Sequence, residues 1–158
     1  MGKKVIIGAV TRKIVIGADH GGFEMKAELK KYFDKKGIEC VDVGMHEFDP
    51  LSNFPPIVLD MVKELKASGV EKGKCIGVMI CGSGIGISIA MNRHPGIRAA
   101  LCHSVEYAEM ARQHNDANVL CLGGRYLDIK TAERIVQAFL DTAFLDGKYR
   151  VRMDLIDA

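Results

Sequence analysis

The 158-residue sequence lacks several features that would place it in a common functional class. Its net charge is only +2 and its basic residues are spread along the chain, whereas a nucleic-acid-binding protein normally carries a concentrated basic face. No apolar run approaches the roughly 20 residues that a membrane-spanning helix requires. The apolar stretch near the N-terminus is too short for a secretory signal. We therefore expect a cytoplasmic protein that binds neither nucleic acid nor a membrane.

The cysteines form no C-x-x-C pair, and their number is odd. Four of them, Cys40, Cys75, Cys102 and Cys121, lie in or beside apolar runs, which favours reduced, buried thiols without a chemical role. The fifth, Cys81, ends an apolar run and begins a glycine-rich segment. Because no cluster of His, Cys and Asp residues has the spacing of metal ligands, we expect no metal and no other cofactor.

Short β-rich runs alternate with longer amphipathic runs, a pattern typical of βαβ units around a parallel sheet. The predicted strands cover residues 13–18, 39–43, 75–80, 97–102 and 119–122, with a helix after each, and a short basic amphipathic segment at 148–156 closes the chain. The sequence therefore predicts an α/β protein with a three-layer α/β/α, Rossmann-like fold and a five-stranded parallel sheet. The length fits one domain, which we place at residues 13–158.

Residues 1–12 are predicted to form an N-terminal extension of this domain. The segment at 4–9, Lys-Val-Ile-Ile-Gly-Ala, nearly repeats the segment at 13–18, Lys-Ile-Val-Ile-Gly-Ala, but lacks the Asp-His-Gly-Gly that follows the second copy. Two interpretations stay open: an extra strand at the edge of the sheet, or a disordered extension.

The segment at 81–86, Cys-Gly-Ser-Gly-Ile-Gly, lies between a buried strand and the start of a helix. Ligands of open parallel sheets bind beyond the carboxyl ends of the strands, and the backbone N–H groups of such a turn can converge on a phosphate or an enediolate oxygen. The segment has neither the Gly-Lys-Ser/Thr ending of a Walker loop nor the spacing of a dinucleotide fingerprint. The partial positive charge of such converging N–H groups favours the thiolate form of a nearby cysteine. Cys81 is therefore a candidate base or nucleophile, and the alternative is an inert buried thiol.

Two further polar segments follow other predicted elements. Asp19-His20-Gly21-Gly22 ends the first strand and could share a cleft with Cys81 if the first and third strands are neighbours. The alternative is an aspartate that caps the next helix, with a surface histidine beside it. The segment at 112–116, Arg-Gln-His-Asn-Asp, ends the helix after the fourth strand. A single histidine near a helix end usually serves only to interact with the helix dipole, and this role does not require the further polar residues that follow it here.

Together these segments resemble the ribose-5-phosphate isomerase B family, which also includes allose- and galactose-6-phosphate isomerases. The similar stretches lie in order, at family-like spacing, at residues 16–23, 81–90, 95–100, 112–118 and 123–125. The resemblance implies metal-free interconversion of an aldose phosphate and a ketose phosphate through a cis-enediol. We expect ribose 5-phosphate and ribulose 5-phosphate as the pair. A hexose-6-phosphate isomerase and a non-catalytic sugar-phosphate sensor are the alternatives.

The resemblance also implies roles for the residues of the glycine-rich segment. It places the base that moves the proton between C2 and C1 at Cys81, and the enediolate-stabilising hydroxyl at Ser83. Some members of the family use a glutamate later in this loop as the base, and Ile87 at that position favours the cysteine. The loop residues expected to contact the substrate are Gly82, Gly84, Ile85 and Gly86.

The remaining roles fall on other segments. His114 resembles the family's ring-opening acid and base, and Asp19 resembles the carboxylate that handles a sugar hydroxyl beside it. The residues expected to bind the substrate and its phosphate are His20, Asn115, Arg125, Lys148 and Arg152. The family is dimeric, so the resemblance implies a homodimer, or a tetramer, in which His114, Asn115 and Arg125 face the Cys81 of a neighbour.

The sequence departs from the family pattern in three places, one of which is the N-terminal extension at residues 1–12, for which the family has no counterpart. Asn53-Phe54-Pro55 stands where the family usually has Asp-Tyr-Pro, which removes a carboxylate and a hydroxyl from that loop. Near the C-terminus, Lys-Tyr-Arg-Val-Arg at 148–152 stands where the family has Arg-His-x-x-Arg. Lysine supplies charge but no bidentate fork, so Arg150 is an alternative phosphate ligand.

Overall fold

The structure is a computed structural model that describes residues 6–7 and 10–158. The strands, in chain order, are β1 (Ile6–Ile7), β2 (Val10–Thr11), β3 (Lys13–Ala18), β4 (Cys40–Asp42), β5 (Cys75–Cys81), β6 (Ala99–Leu101) and β7 (Val119–Gly123). The helices are α1 (Phe23–Lys36), α2 (Phe54–Ala67), α3 (Ile85–Met91), α4 (Val105–Asn115), α5 (Ile129–Asp141) and α6 (Lys148–Ile156), with a 3-10 turn at Val70–Lys72. Within these described residues, no helix combines the length and the apolar character needed to cross a bilayer.

Strands β3 to β7 form one parallel sheet in the order β4-β3-β5-β7-β6. All seven residues of β5 are buried, as expected of a central strand with helices on both faces. One face packs against α1, α4 and α5, and the other packs against α2 and α3. The three-layer α/β/α fold predicted from the sequence is therefore confirmed.

The alternation of side chains along β5 decides where its last residue points. Ile76, Val78 and Ile80 pack into the core beneath α1 and α5. Met79 and Cys81 pack into the opposite core, beneath α2 and α3. Successive side chains of a strand point to opposite faces, so the thiol at the end of β5 lies on the α2–α3 side of the sheet.

The two outer strands are shorter than the sequence predicted. Within the described residues, β4 pairs only with β3 and β6 pairs only with β7, each through three residues, whereas β5 has a neighbour on both sides. An edge strand has a neighbour on one side only and therefore makes half the ladder hydrogen bonds of a central strand. Its apolar run in the sequence can then be longer than the stretch of residues that pairs with the neighbouring strand.

The described part of the N-terminal extension adds no strand to this sheet. β1 and β2 pair with each other as an antiparallel ribbon, with Ile6 opposite Thr11 and Ile7 opposite Val10. Residues 1–5 and 8–9, which complete the repeated segment, lie outside the described residues.

A buried ion pair shapes the end of α4. Arg112 is only 3% exposed, and it donates to the carboxylate of Asp116 at 2.9 Å and to the carbonyl of Ala117. Arg98 donates to the other carboxylate oxygen of Asp116 at 3.2 Å. Burial lowers the pKa of Arg112, and the charge of Asp116 opposes that shift. The two arginines thus hold the left-handed turn at Asp116, two residues after His114.

We predict that Arg112→Met lowers the free energy of unfolding by about 3 kcal/mol, because it removes the buried partner of Asp116 and leaves that carboxylate with the more exposed Arg98 and Arg150. Urea unfolding followed by circular dichroism measures the change. The matched control is Lys130→Met, which removes an ion pair whose lysine side chain is 82% exposed and should leave stability unchanged within error. Equal effects of the two substitutions would contradict the prediction.

Candidate active site

The loops that follow β3, β5 and β7 meet at the carboxyl edge of the sheet. The backbone N–H of Asp19 donates to the carbonyl of Ile80 at 3.2 Å. The backbone N–H of Gly124 donates to the carbonyl of Cys81 at 2.8 Å. The expectation that the first and third predicted strands are neighbours is confirmed, since β3 pairs with β5 along its whole length. The cleft is therefore built on three adjacent strand ends.

Glycines allow these loops to touch. A Cβ on Gly21 would lie 2.6 Å from the backbone nitrogen of Gly82, and a Cβ on Gly124 would lie 2.5 Å from the carbonyl oxygen of Gly21. Both distances are shorter than real Cβ contacts, so the three loops pack backbone against backbone. The backbone amides of all three are thereby brought into one small region.

The thiol of Cys81 lies at the base of this region and is 5% exposed. Gly84, in the left-handed conformation at φ 78°, turns the chain so that its N–H donates to the Cys81 sulfur at 3.1 Å. A backbone N–H aimed at the sulfur stabilises negative charge there. The turn at Gly84 thus places a backbone hydrogen-bond donor directly at the Cys81 sulfur.

The other four cysteines have no comparable arrangement. Burial raises the pKa of Cys40 to about 12, that of Cys75 to about 11 and that of Cys102 to about 12. Burial also raises the pKa of the fully enclosed Cys121. These thiols stay protonated at neutral pH, in agreement with the chemically inert role expected from their apolar surroundings.

The rest of the glycine-rich loop lines the cleft. The hydroxyl of Ser83 accepts a hydrogen bond from the N–H of Ile85 at 3.2 Å, which leaves its own proton for a ligand. The ring of Phe54 lies against Gly86, where a Cβ would be 2.9 Å from the ring carbon Cζ. Phe54, which stands where the family usually has a tyrosine, thus lies beside the glycine-rich loop of the cleft. Ile87 is fully buried in the core below the loop.

Asp19 is held by the turn that it begins. Its carboxylate is 6% exposed and accepts the N–H of Gly21 at 2.8 Å. The alternative in which Asp19 caps α1 is wrong, because Gly22 is the N-cap residue of that helix and no side chain caps it. The carboxylate therefore belongs to the junction between the loops after β3 and β5.

Ser52 was not among the residues singled out from the sequence. Its hydroxyl accepts the backbone N–H of His20 at 3.0 Å and lies 3.1 Å from the ring nitrogen Nδ1 of His20. Ser52 thus contacts both the backbone and the ring of His20 and restrains the orientation of the imidazole. The only signal in the sequence was a hydroxyl residue beside the altered Asn53-Phe54 segment.

Arg125 lies at the loop of its own chain. A Cβ on Gly82 would be 3.0 Å from the Nη1 atom of Arg125, so the guanidinium packs directly on the glycine-rich loop. The expectation that Arg125 faces the Cys81 of a neighbour needs correction. The pairing of Cys81 with Gly123 brings the loop after β7 next to the loop after β5, and the backbone N–H of Arg125 donates to the carbonyl of Gly82 at 3.1 Å.

The structure does not bring His114 and Asn115 to this cleft within one chain. Helix α4 starts after the carboxyl end of β6 and returns to the amino edge of the sheet, where β7 begins. From Val119 to Gly123 the strand rises about 13 Å, at roughly 3.3 Å per residue. His114 and Asn115 therefore lie at the edge opposite Cys81.

Helix α6 lies at the same amino edge. Arg98, just before β6, pairs with Asp157 just after α6 at 2.8 Å. Lys148 and Arg152 are four residues apart on α6, hence on one face of it, and Tyr149 between them contacts His114. The two expected phosphate ligands of α6 are thus grouped with His114 and not with Cys81.

Arg150 is occupied elsewhere. It donates to the carboxylate of Asp146 at 3.3 Å, and its guanidinium lies 4.6 Å from the ring centroid of Phe144. Its Nη2 also lies 4.0 Å from a carboxylate oxygen of Asp116. Arg150 is thus paired with carboxylates, whereas the ammonium nitrogen of Lys148 lies 5.2 Å from the centroid of the Tyr149 ring.

The cleft combines a thiol, a carboxylate, a hydroxyl and converging backbone donors. Among the residues that the structure describes, no three His, Cys, Asp or Glu side chains are grouped in a way that could hold a metal ion. These groups suit proton transfer at a carbon next to a carbonyl, with the N–H groups facing the oxyanion that forms.

The fold and this cleft define an α/β enzyme whose site lies at the carboxyl edge of a parallel sheet. The model of the Ribose/Galactose Isomerase family matches residues 14–156, and the chain belongs to this family. A putative sugar phosphate isomerase from Rickettsia bellii is 42% identical over 143 residues, which cover 90% of this chain and 96% of that protein. Ribose-5-phosphate isomerase B from Escherichia coli is 35% identical over 147 residues, which cover 93% and 95%.

Solved structures agree with these sequence relatives. The structure of ribose 5-phosphate isomerase B from Anaplasma phagocytophilum has a TM-score of 0.86 and 40% identity, and the match covers 96% of this chain and 97% of that one. The structure of ribose-5-phosphate isomerase B from Mycoplasma genitalium with bound ribulose-5-phosphate has a TM-score of 0.87 and 33% identity, with 94% and 95% covered. The resemblance drawn from the sequence is confirmed, and the chain is a sugar-phosphate isomerase.

We predict that iodoacetamide at pH 8 labels the native protein at Cys81 only. A thiol with a pKa of about 12, such as Cys102, is only about one part in 10,000 thiolate at that pH. Mass spectrometry of the native and the guanidinium-unfolded protein should give one label and five labels respectively, since the chain has five cysteines. Cys81→Ala should give none in the native state. Native labelling at Cys102 or Cys121 would refute the assignment.

Proposed function

We propose that the protein interconverts D-ribose 5-phosphate and D-ribulose 5-phosphate through a cis-enediol, with Cys81 as the base. The observation that carries this proposal is the Cys81 sulfur, which accepts the N–H of Gly84 in a glycine-rich loop at the carboxyl edge of the sheet. The names of the relatives support the choice of a pentose phosphate.

The chemistry needs one base and a set of oxyanion donors. The thiolate of Cys81 removes the proton from C2 of the open-chain aldose, and the electron pair moves to O1. The Ser83 hydroxyl and the loop amides stabilise the resulting enediolate. A proton moves from O2 to O1 as O2 becomes the carbonyl, with Asp19 beside these hydroxyls. The Cys81 thiol then returns its proton to C1 and is again a thiolate.

The remaining groups require a second chain. His20 and Arg125 lie at the cleft and can contact substrate there, but His114, Lys148 and Arg152 lie at the far edge of the sheet. We propose a homodimer in which the amino edge of one chain faces the cleft of the other, so that His114 opens the sugar ring and the α6 cations bind the phosphate. Exposed apolar side chains near both edges support an interface: Ile85, Ile89, Val151, Leu155 and Ile156.

We predict that Cys81→Ala lowers kcat for ribose 5-phosphate by about 10³-fold, within the range that a general base contributes. Sugar-phosphate binding, measured by calorimetry, should be retained. A coupled assay of ribulose 5-phosphate formation measures turnover, and Cys40→Ala, which alters a thiol at the far edge strand, should leave it unchanged. A nearly fully active Cys81→Ala variant would refute the role of the base.

The same assay with allose 6-phosphate separates the pentose from the hexose substrate. The proposal requires a higher kcat/KM for ribose 5-phosphate than for allose 6-phosphate. A wild-type protein that binds both sugars and turns over neither would be a sensor and would overturn the proposal.

We predict that two severely impaired variants, Cys81→Ala and His114→Ala, restore activity when they are refolded together. A symmetric dimer built from both chains has one site that combines an intact Cys81 with an intact His114 from the other subunit. Random pairing makes half of the dimers mixed, each with one working site of two, so the mixture should regain about a quarter of wild-type activity. A mixture that stays inactive would show that both residues act within one chain.

A further inference from the structure

Tyr149, in the first turn of α6, contacts three side chains that the proposed function uses. The imidazole of His114 stacks on the Tyr149 ring with 4.6 Å between the ring centroids and 11° between the ring planes. The ammonium nitrogen of Lys148 lies 5.2 Å from the centroid of the Tyr149 ring, and the guanidinium carbon of Arg152 lies 5.6 Å from it. One aromatic ring is thus shared by three functional groups.

The stack fixes the plane of the imidazole without occupying its nitrogens. A nearly parallel contact uses the face of each ring, and the two ring nitrogens of His114 lie at the edge of the imidazole. His20 is oriented differently, through a hydrogen bond of 3.1 Å between its Nδ1 atom and the Ser52 hydroxyl. The face contact therefore leaves His114 able to give a proton from one nitrogen or accept one at the other.

The same ring restrains the two cations. A cation within about 6 Å of an aromatic centroid is attracted to the ring quadrupole. Lys148 and Arg152 are otherwise exposed, long and flexible, and they carry like charges on one helix face. Attraction to Tyr149 offsets their mutual repulsion and narrows the positions that each charge can take.

Helix α6 has other attachments, so the ring is not its only support. Met153 is 2% exposed, and Asp157 after the helix pairs with Arg98. A substitution at position 149 should therefore leave the helix in place and change only the groups around the ring.

We infer that Tyr149 is a positioning residue for the isomerase reaction. Its ring holds His114 at a fixed angle and keeps Lys148 and Arg152 beside it, so that the ring-opening group and the phosphate-binding charges form one preassembled unit. This inference rests on the proposed function and extends it to a residue that stands where the family pattern has a histidine.

The test compares Tyr149→Leu, which removes the aromatic ring, with the matched control Tyr149→Phe, which keeps it. Tyr149→Leu should lower kcat for ribose 5-phosphate by about tenfold or more, the scale of losses caused by misplaced catalytic groups, and should raise KM by several-fold. Tyr149→Phe should keep both constants within about twofold, because stacking and cation–π attraction need the ring and not the hydroxyl. A Tyr149→Leu variant with wild-type constants, or a Phe variant as impaired as the Leu variant, would overturn the inference.

A double-mutant cycle tests whether the effect on kcat passes through His114. In a His114→Ala background, Tyr149→Leu should cause little further loss of kcat but should still raise KM through Lys148 and Arg152. Full additivity in kcat would overturn the inference.

The stack can also be measured without activity. The ring protons of His114 should shift upfield in NMR spectra of the wild type and of Tyr149→Phe, and this shift should be lost in Tyr149→Leu. Wild-type protein without the shift would overturn the inference, whereas wild-type protein with the shift but without isomerase activity would overturn only the proposed function.

Discussion

The side-by-side pairing of β3, β5 and β7 is the constraint on which the site depends. Parallel pairing brings three strand ends to one level, and backbone hydrogen bonds from Asp19 and Gly124 then join the loops that follow. The loops touch backbone to backbone, so glycine is required at the contacts. The N–H group that donates to the Cys81 sulfur, that of Gly84, belongs to the same glycine-rich loop. The backbone conformation of this loop therefore determines both its packing against the neighbouring loops and the hydrogen bond to the thiol.

The parallel sheet also divides the functional residues. Each helix that follows a strand carries the chain back to the amino edge, so residues at the end of such a helix lie opposite those at the end of the strand. His114 ends α4 and Cys81 ends β5, and about one strand length separates their levels. In the proposed homodimer, a second copy of the chain brings them together. The ion pairs of Arg98 and Arg112 with Asp116 hold the chain just after His114 in a defined shape.

Most of the fold could be predicted from the sequence because its patterns are local. The bounds of β3 and α1 follow from the apolar run at 13–18 and from the helical spacing that ends at Lys36-Gly37. The edge strands were predicted too long, since pairing depends on neighbours that periodicity does not report. Ser52 and Tyr149 were missed for a related reason. Each contacts a residue more than 30 positions away along the chain, and the segment that holds Tyr149 was read only for its charged residues.

By itself, the sequence determined the fold class, the glycine-rich turn after the central strand and the identity of the thiol beside it. These depend on hydrophobic period and on the backbone freedom of glycine, which are properties of short segments. Only the tertiary structure decided that Gly84 donates to the Cys81 sulfur, that Arg125 lies at the cleft of its own chain and that His114 does not. Those outcomes depend on strand order and on the direction of each returning helix, which distant parts of the chain decide together.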